Sequence, residues 1–186
     1  MAPSKMMIIR HVEKPDGSIQ GVAQDGSTDP EELTVQGWQR SGALVRFFKP
    51  AAGQFTNPAL ATPNVIFASA VAKHSNSLRP QHTVLALANF LGLELNLDHL
   101  EGDEAALITD VLKQTGSVLI AWEHEKIPTI AAGFVLTNPP VPQQWPGERF
   151  DLVWVFDRNP DASGWTFAQV PQMLLSGDGD SVIPLS

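Results

Sequence analysis

The sequence contains no cysteine among its 186 residues. This absence excludes disulfide bonds, thiolate-bound zinc and a cysteine nucleophile. It also excludes a zinc deaminase site, because His11-Val12-Glu13 offers the His-x-Glu half of that motif without the Pro-Cys-x-x-Cys that the chemistry requires. A chain without cysteine suits a reducing compartment, and we therefore expect a cytoplasmic protein.

Long hydrophobic runs are also missing. No stretch approaches the roughly 18 unbroken apolar residues of a membrane span, and the run that begins at Met6 is too short for a signal peptide followed by a cleavage site. We therefore expect no membrane partner. The composition is 43% hydrophobic, and 186 residues without repeats or low-complexity tracts predict one domain over residues 1–186.

Positive charge is scarce, with 12 Lys and Arg against 20 Asp and Glu, which gives a net charge of −8. This balance argues against a nucleic-acid partner, because binding to a phosphate backbone depends on clustered Lys and Arg. If the protein binds phosphate, it must do so with a few local cations. The sequence gives no indication of the oligomeric state.

Four short apolar runs have the composition of buried strands: residues 6–10, 65–68, 118–122 and 152–156. Segments with helical spacing follow most of them, which predicts an α/β fold with a largely parallel sheet. The remaining predicted elements are a helix that begins near residue 33, a helix from about Pro80 that ends at Gly92, a short strand at 93–97, helices at 103–114 and 128–134, and antiparallel edge strands at 150–157 and 165–171.

Polar side chains follow three of the predicted strands. The first strand gives Arg10, His11 and Glu13, the second Lys73, His74 and Arg79, and the third Glu123, His124 and Glu125. Parallel neighbouring strands would bring these ends into one crevice. Guanidinium groups there can bind phosphate oxygens in pairs. One neutral imidazole can attack phosphorus, the other can stabilise the transition state, and a carboxylic acid can protonate the leaving oxygen without any metal or cofactor.

Four motifs carry a family resemblance, and they follow one another between residues 6 and 135. The first motif is Arg10-His11 at a strand end, and the second is Leu33-Thr34-Val35-Gln36-Gly37-Trp38-Gln39-Arg40. The third is Ala68-Ser69 followed by a helix in which Arg79 lies four residues before Thr83 and which ends at Leu91-Gly92-Leu93. The fourth is the apolar strand that leads to His124. This order resembles the histidine phosphatase superfamily, also called phosphoglycerate mutase-like.

The resemblance implies a three-layer α/β/α sandwich and a phosphoric monoester hydrolase of the histidine acid phosphatase type. In such an enzyme His11 would accept the phosphoryl group, and Arg10, Arg79 and His124 would form the phosphate pocket. Arg40 would be structural or peripheral. The substrate would be a phosphorylated small molecule or a phosphoprotein.

The sequence departs from the family pattern in several places. Val12 replaces the usual glycine after the first histidine, residues 70–78 are longer than usual, and Glu125 follows the second histidine in place of glycine or aspartate. The insertion that carries the general acid of the mutases has no clear equivalent, which makes a mutase-type phosphotransferase the less favoured alternative. A second alternative is a catalytically degenerate module that binds a phosphorylated ligand.

The general acid is the least constrained assignment. Glu125 is the preferred candidate, Glu13 is a second, and an acidic residue between positions 98 and 104 could also reach the crevice, although such residues usually form a solvated helix start. Lys73 and His74 suit a solvated loop that could contact substrate. Trp145, in a proline-rich loop, is predicted to form a wall over the substrate.

Overall fold

The fold is built on one mixed seven-stranded sheet. The computed structural model describes residues 2–71, 73, 76–134 and 136–185. Its strands are β1 (Lys5–Arg10), β2 (Val65–Ala68), β3 (Leu95–Asn96), β4 (Ser117–Trp122), β5 (Thr137–Asn138), β6 (Leu152–Arg158) and β7 (Trp165–Pro171). Its helices are α1 (Val35–Phe48), α2 (Arg79–Leu91), α3 (Glu104–Val111) and α4 (Ile127–Ala132). None of the helices in these described ranges is long and apolar enough to cross a bilayer.

The strand order is β3-β2-β4-β1-β6-β7-β5. β2 pairs in parallel with β3 and β4, β4 pairs in parallel with β1, and β6 is antiparallel to both β1 and β7. This arrangement confirms the predicted largely parallel sheet. The last two long strands are antiparallel as predicted, but β6 lies inside the sheet between β1 and β7. The short β5 lies outside β7. The prediction that both strands are edge strands was therefore wrong.

The sheet separates two hydrophobic cores, as the alternation of side chains along β1 shows. Met6 and Ile8 pack on the face covered by α3 and α4, whereas Met7 and Ile9 pack on the face covered by α1 and α2. All four side chains are fully buried. Helices on both faces of one sheet make three layers, which confirms the expected α/β/α sandwich.

The Leu-Thr-x-x-Gly motif sets the start of α1. Thr34 caps the helix, because its hydroxyl accepts a hydrogen bond from the Gly37 N–H at 3.1 Å. A Cβ at position 37 would lie 2.6 Å from the Glu13 carbonyl oxygen, so only glycine allows the helix to approach this segment closely. The Thr34 N–H also donates to that carbonyl at 3.0 Å. The motif therefore fixes the backbone that follows His11.

Candidate active site

The ends of three parallel strands meet at one edge of the sheet. Arg10 is in register with Trp122, and the His11 N–H continues the ladder by donating to the Trp122 carbonyl at 3.0 Å. On the other side of β4, Ala68 is in register with Ala121. The residues that follow these positions, among them His11 and His124, therefore lie at the same edge of the sheet.

A cleft of about 310 Å³ opens at this edge. Of the residues proposed from the sequence, His11, Lys73, Arg79 and Glu123 line it, whereas Arg10 and His124 are not among the lining residues. The rest of the lining is mostly polar: Lys14, Glu31, Ser69, Asn76, Ser77, Pro80 and Glu101. His74 lies outside the described residues. The cleft is thus suited to a polar, charged ligand.

The ring of His11 is held in one orientation. Its side chain is nearly buried, at 4% exposure, and Nδ1 lies 2.8 Å from the carbonyl oxygen of Val12. A carbonyl oxygen can only accept, so Nδ1 carries the hydrogen and Nε2 keeps its lone pair. Burial and the neighbouring charge of Arg10 lower the pKa of His11 from 6.5 to about 3. The imidazole is therefore neutral and its Nε2 is available as a nucleophile.

The guanidinium of Arg10 is almost completely buried but only partly bonded. Nη1 donates to the Gly147 carbonyl, and the face of the group lies 3.9 Å from the ring centroid of Phe150. Nε and Nη2 have no hydrogen-bond partner among the described residues. Burial lowers the pKa of Arg10 to about 10, so it remains a cation at neutral pH. A buried cation with two unbonded nitrogens suits an anionic ligand.

The guanidinium of Arg79 is oriented by the loop that precedes α1. Nη2 donates to the Pro30 carbonyl at 2.9 Å, and Nε lies 3.4 Å from the Glu32 carbonyl. Nη2 also lies 3.2 Å from a carboxylate oxygen of Glu31, which is itself largely exposed. These contacts hold Arg79 at the wall of the cleft.

His124 lies beside the same glycine that contacts Arg10. A Cβ built on Gly147 would be 3.4 Å from Nε2 of His124. On its other side, Nδ1 lies 2.6 Å from a carboxylate oxygen of Glu123, in an orientation that suits electrostatic contact better than a linear hydrogen bond. Burial and Arg10 lower the pKa of His124, and Glu123 opposes them. Protonation of His124 would therefore be favoured by a bound anion.

The structure does not bring Glu13 into the cleft. Its carboxylate pairs with Arg40, with 2.7 Å between the closest oxygen and Nη2. Arg40 is 2% exposed and also pairs with Asp178 at 2.6 Å, while its Nη1 donates to Gln172 at 3.1 Å. We call these four residues the Arg40 cluster. Arg40 therefore has a structural environment, as expected, and Glu13 is occupied within it.

Three carboxylates line the cleft: Glu31, Glu101 and Glu123. Glu31 pairs with Arg79, Glu123 is half-buried and Glu101 is exposed. Glu125 is also exposed, but it is not one of the lining residues. Partial desolvation and the nearby charge of Glu123 raise the pKa of Glu101, which shifts it towards its protonated form. Glu101 lies in the acidic stretch 98–104 that the sequence pointed to only as a group. Phe150, which stacks on Arg10, had no recognisable sequence signal.

The structure also places Val12 and Trp145. Val12 is fully buried in the hydrophobic core beneath α1 and α2, so its side chain does not obstruct the cleft. Trp145 is 4% exposed, stacks against Trp154 with 5.1 Å between ring centroids, and donates from Nε1 to the Arg149 carbonyl. The prediction that Trp145 forms a wall over the substrate was wrong, because its ring belongs to the core.

Three consecutive residues could offer ligands to a metal ion. One ligand atom each from Glu123, His124 and Glu125 lies within 4.8 Å of the others. The short contact between Glu123 and His124 already joins two of these groups without an ion. Metal independence of the chemistry stays a prediction, which activity in the presence of a chelator would test.

Comparison with known proteins adds to this geometry. No protein-family model and no curated protein matches the sequence, but solved structures do. The protein histidine phosphatase SixA, complexed with tungstate, matches with a TM-score of 0.55 and 17% identity over 90% of this chain and 97% of that one. The chain thus shares its fold with this histidine phosphatase. A mycobacterial glucosyl-3-phosphoglycerate phosphatase matches with a TM-score of 0.50 and 12% identity over 90% of this chain and 97% of that one.

Both of these similar structures are phosphatases. The resemblance drawn from the four sequence motifs is therefore confirmed at the level of the fold. Sequence identities this low do not assign an activity to this chain, which has to be argued from its own residues.

Proposed function

We propose that this protein is a phosphomonoester hydrolase that works through a phosphohistidine at His11. One observation carries the proposal: a neutral, oriented imidazole lies next to a buried guanidinium that has two unbonded nitrogens. The first group is a nucleophile, and the second is a binding group for the anion that the nucleophile attacks.

The phosphate would bind between the cations of the cleft. Nε and Nη2 of Arg10 would donate to two of its oxygens, which gives these buried nitrogens their missing partners. Arg79, which lines the cleft, would contribute a second guanidinium. His124 would contact a third oxygen, and the negative charge of the phosphate would raise the pKa of its imidazole. Charge developing on the equatorial oxygens would then be stabilised by groups already in place.

The reaction would proceed in two displacements. Nε2 of His11 forms a bond to phosphorus while the bond from phosphorus to the ester oxygen breaks, and that oxygen takes a proton from a carboxylic acid. Water then attacks the phosphohistidine, the same carboxylate takes a proton from this water, and the N–P bond breaks. Inorganic phosphate leaves, and both the imidazole and the acid return to their starting states.

For the acid we propose Glu101 in place of Glu125 or Glu13. Glu101 lines the cleft, and partial desolvation and the charge of Glu123 raise its pKa. Glu125 lies outside the lining, and the carboxylate of Glu13 is paired with Arg40. Glu123 would instead act on His124, since their closest side-chain atoms are 2.6 Å apart.

The substrate would be a phosphorylated small molecule or a phosphoprotein. The named activities of the similar structures, on protein phosphohistidine and on glucosyl-3-phosphoglycerate, cover both classes. Lys14 and Lys73 at the cleft suit a substrate with polar groups beyond the phosphate. The degenerate binding module remains the alternative, but the buried position of Val12 removes one of the reasons for it.

Hydrolysis of p-nitrophenyl phosphate in the presence of EDTA separates the two. Release by the wild type that is lost in His11→Ala supports the hydrolase. No release, together with binding of inorganic phosphate by calorimetry, supports the binding module instead. Circular dichroism of both proteins would show that His11→Ala keeps the fold.

A further inference from the structure

Thr83 makes two hydrogen bonds from a fully buried position on α2. Its hydroxyl donates to the Arg79 carbonyl, one helical turn earlier, at 2.7 Å. The same oxygen accepts a hydrogen bond from the Val12 N–H at 3.0 Å. One hydroxyl thus joins the helix that carries Arg79 to the backbone immediately after His11.

The backbone on the two sides of His11 is held by different means. Before it, the His11 N–H still donates to β4 through the Trp122 carbonyl at 3.0 Å. After it, the sheet has ended, and the next amide, that of Val12, is bonded to the Thr83 side chain. The Thr83 hydroxyl therefore continues the anchoring that the sheet supplies up to His11.

This anchoring bears directly on the nucleophile. The Val12 carbonyl, in the same residue whose N–H is bonded to Thr83, is the acceptor for Nδ1 of His11. A rotation of the Val12 backbone would move this acceptor away from Nδ1. The ring would then lose the contact that keeps hydrogen on Nδ1 and a lone pair on Nε2.

We propose that Thr83 is a positioning residue that keeps His11 in its nucleophilic tautomer and orientation. The proposal rests on the proposed function, in which His11 attacks phosphorus. Val12 and Thr83 are both fully buried, so without the hydroxyl the Val12 N–H would lack a partner in an apolar setting. The backbone would be expected to shift to recover one, and small misplacements of a nucleophile slow its attack strongly.

A threonine that bonds back to the preceding turn is common in helices and needs no functional reason. Thr109 in α3 provides the matched case, because its hydroxyl donates to the Ala105 carbonyl at 2.9 Å from an exposed position. The bond to the Val12 N–H is the feature that distinguishes Thr83 from it.

The test compares Thr83→Val, Thr83→Ser and Thr109→Val. With p-nitrophenyl phosphate, we expect kcat to fall about tenfold or more in Thr83→Val with little change in KM. We expect the serine variant, which keeps the hydroxyl, to restore kcat, and Thr109→Val to match the wild type. Thr83→Ala replaces Thr83→Val if the valine variant does not fold.

Nitrogen NMR of the His11 ring gives a second readout that does not need turnover. The wild type and Thr83→Ser should show hydrogen on Nδ1, and Thr83→Val should show a mixture of tautomers. A wild-type kcat in Thr83→Val would overturn the proposal, and so would a lower kcat with an unchanged tautomer. If the wild type shows no hydrolysis, the proposed function fails, while the tautomer comparison still decides the role of Thr83.

Discussion

Arg10 and Arg40 are both almost completely buried, at 1% and 2% exposure, but their surroundings differ. Arg40 bonds to two carboxylates and an amide, and its pKa is raised above the ordinary value by Asp178 and Glu13 despite its burial. Arg10 bonds to one carbonyl and lies against one aromatic ring. Burial lowers its pKa to about 10, although the nearby charges of Glu123 and Glu148 oppose this shift.

The difference separates a structural cation from a binding cation. In the Arg40 cluster, charge is balanced within the chain, and the ion pairs join the segment after His11 to the segment near Asp178. At Arg10, part of the balance is left open, because Nε and Nη2 have no hydrogen-bond partner among the described residues. His11, the next residue, lines the cleft. A buried guanidinium with nitrogens that find no partner among the described residues is thus the stronger indication of a ligand site.

The largest expected effect is that of Arg10→Met on catalysis. We expect kcat/KM to fall about 10³-fold or more, because the variant loses the buried cation that would stabilise charge on the transferring phosphoryl oxygens. Stability should stay equal or rise, since removing a buried cation without an ionic partner leaves no unpaired charge behind. Steady-state kinetics and urea unfolding measure the two quantities.

Arg46→Met is the matched control for this variant, because Arg46 is exposed on α1 and lies over the ring of Phe90. Inorganic phosphate should raise the melting temperature of the wild type and of Arg46→Met, but not of Arg10→Met. Activity of Arg10→Met within tenfold of the wild type would remove the distinction between the two arginines.

Arg40→Met should show the opposite profile. Glu13 and Asp178 would be left as uncompensated carboxylates, with side chains only 12% and 4% exposed. We expect a loss of about 3–5 kcal/mol in the free energy of unfolding, measured in urea. Adding Asp178→Asn to this variant should recover part of the loss, because one of the two unpaired charges disappears. A loss below 1 kcal/mol would show that the cluster contributes no more than surface ion pairs.

Glu101 at the cleft and Glu13 in the Arg40 cluster should respond differently to the loss of their charge. Glu101→Gln should lower kcat about 10²-fold for phenyl phosphate, whose poor leaving group needs a proton, and much less for p-nitrophenyl phosphate. Glu13→Gln should mainly lower stability, because Glu13 belongs to the Arg40 cluster. Equal activities of Glu101→Gln and the wild type on phenyl phosphate would assign the acid elsewhere, with Glu123 as the next residue to test.

The smallest effect that we expect is on the pH dependence of the free energy of unfolding. The pKa of His11 is about 3 in the fold against 6.5 ordinarily, so between these values the unfolded chain binds one more proton than the folded protein. The free energy of unfolding therefore falls as the pH drops through this window, by about 2–3 kcal/mol between pH 6.5 and pH 4.5 from this group alone. His11→Asn should lack this component, and urea unfolding at the two pH values would show it. If the free energy of unfolding depended on pH equally in the wild type and in His11→Asn, the pKa of His11 would not be lowered in the folded protein.

The sequence predicted most of the sheet, because its strands depend on local patterns. Short apolar runs predicted β1, β2, β4 and β6, and the parallel pairing of β1 with β4 puts the segments that contain His11 and His124 at the same edge of the sheet. Their catalytic roles stay a prediction. β5 has only two residues, which is too few to show an alternation of apolar and polar side chains in the sequence. The interior position of β6 depends on its pairing with β1, which only the folded sheet shows.

The carboxylates were harder to assign, because proximity in sequence suggested Glu13 and Glu125. Glu13 follows His11 by two residues, but its partner Arg40 is 27 positions away, so the ion pair leaves no local trace. Glu101 lies in an acidic stretch before α3 that resembles any solvated helix start, and only the fold brings it to the cleft. Thr83 belonged to a recognised motif, but its bond to Val12 spans 71 positions.

The most direct test of the account is to look for the phosphohistidine itself. The protein would be mixed with excess p-nitrophenyl phosphate, quenched in alkali, digested and examined by mass spectrometry. We predict one phosphoryl group on the peptide that contains His11, stable in alkali, lost on brief acid treatment and absent from His11→Asn. Turnover without a phosphorylated His11 peptide, or with the phosphoryl group on another residue, would contradict the account.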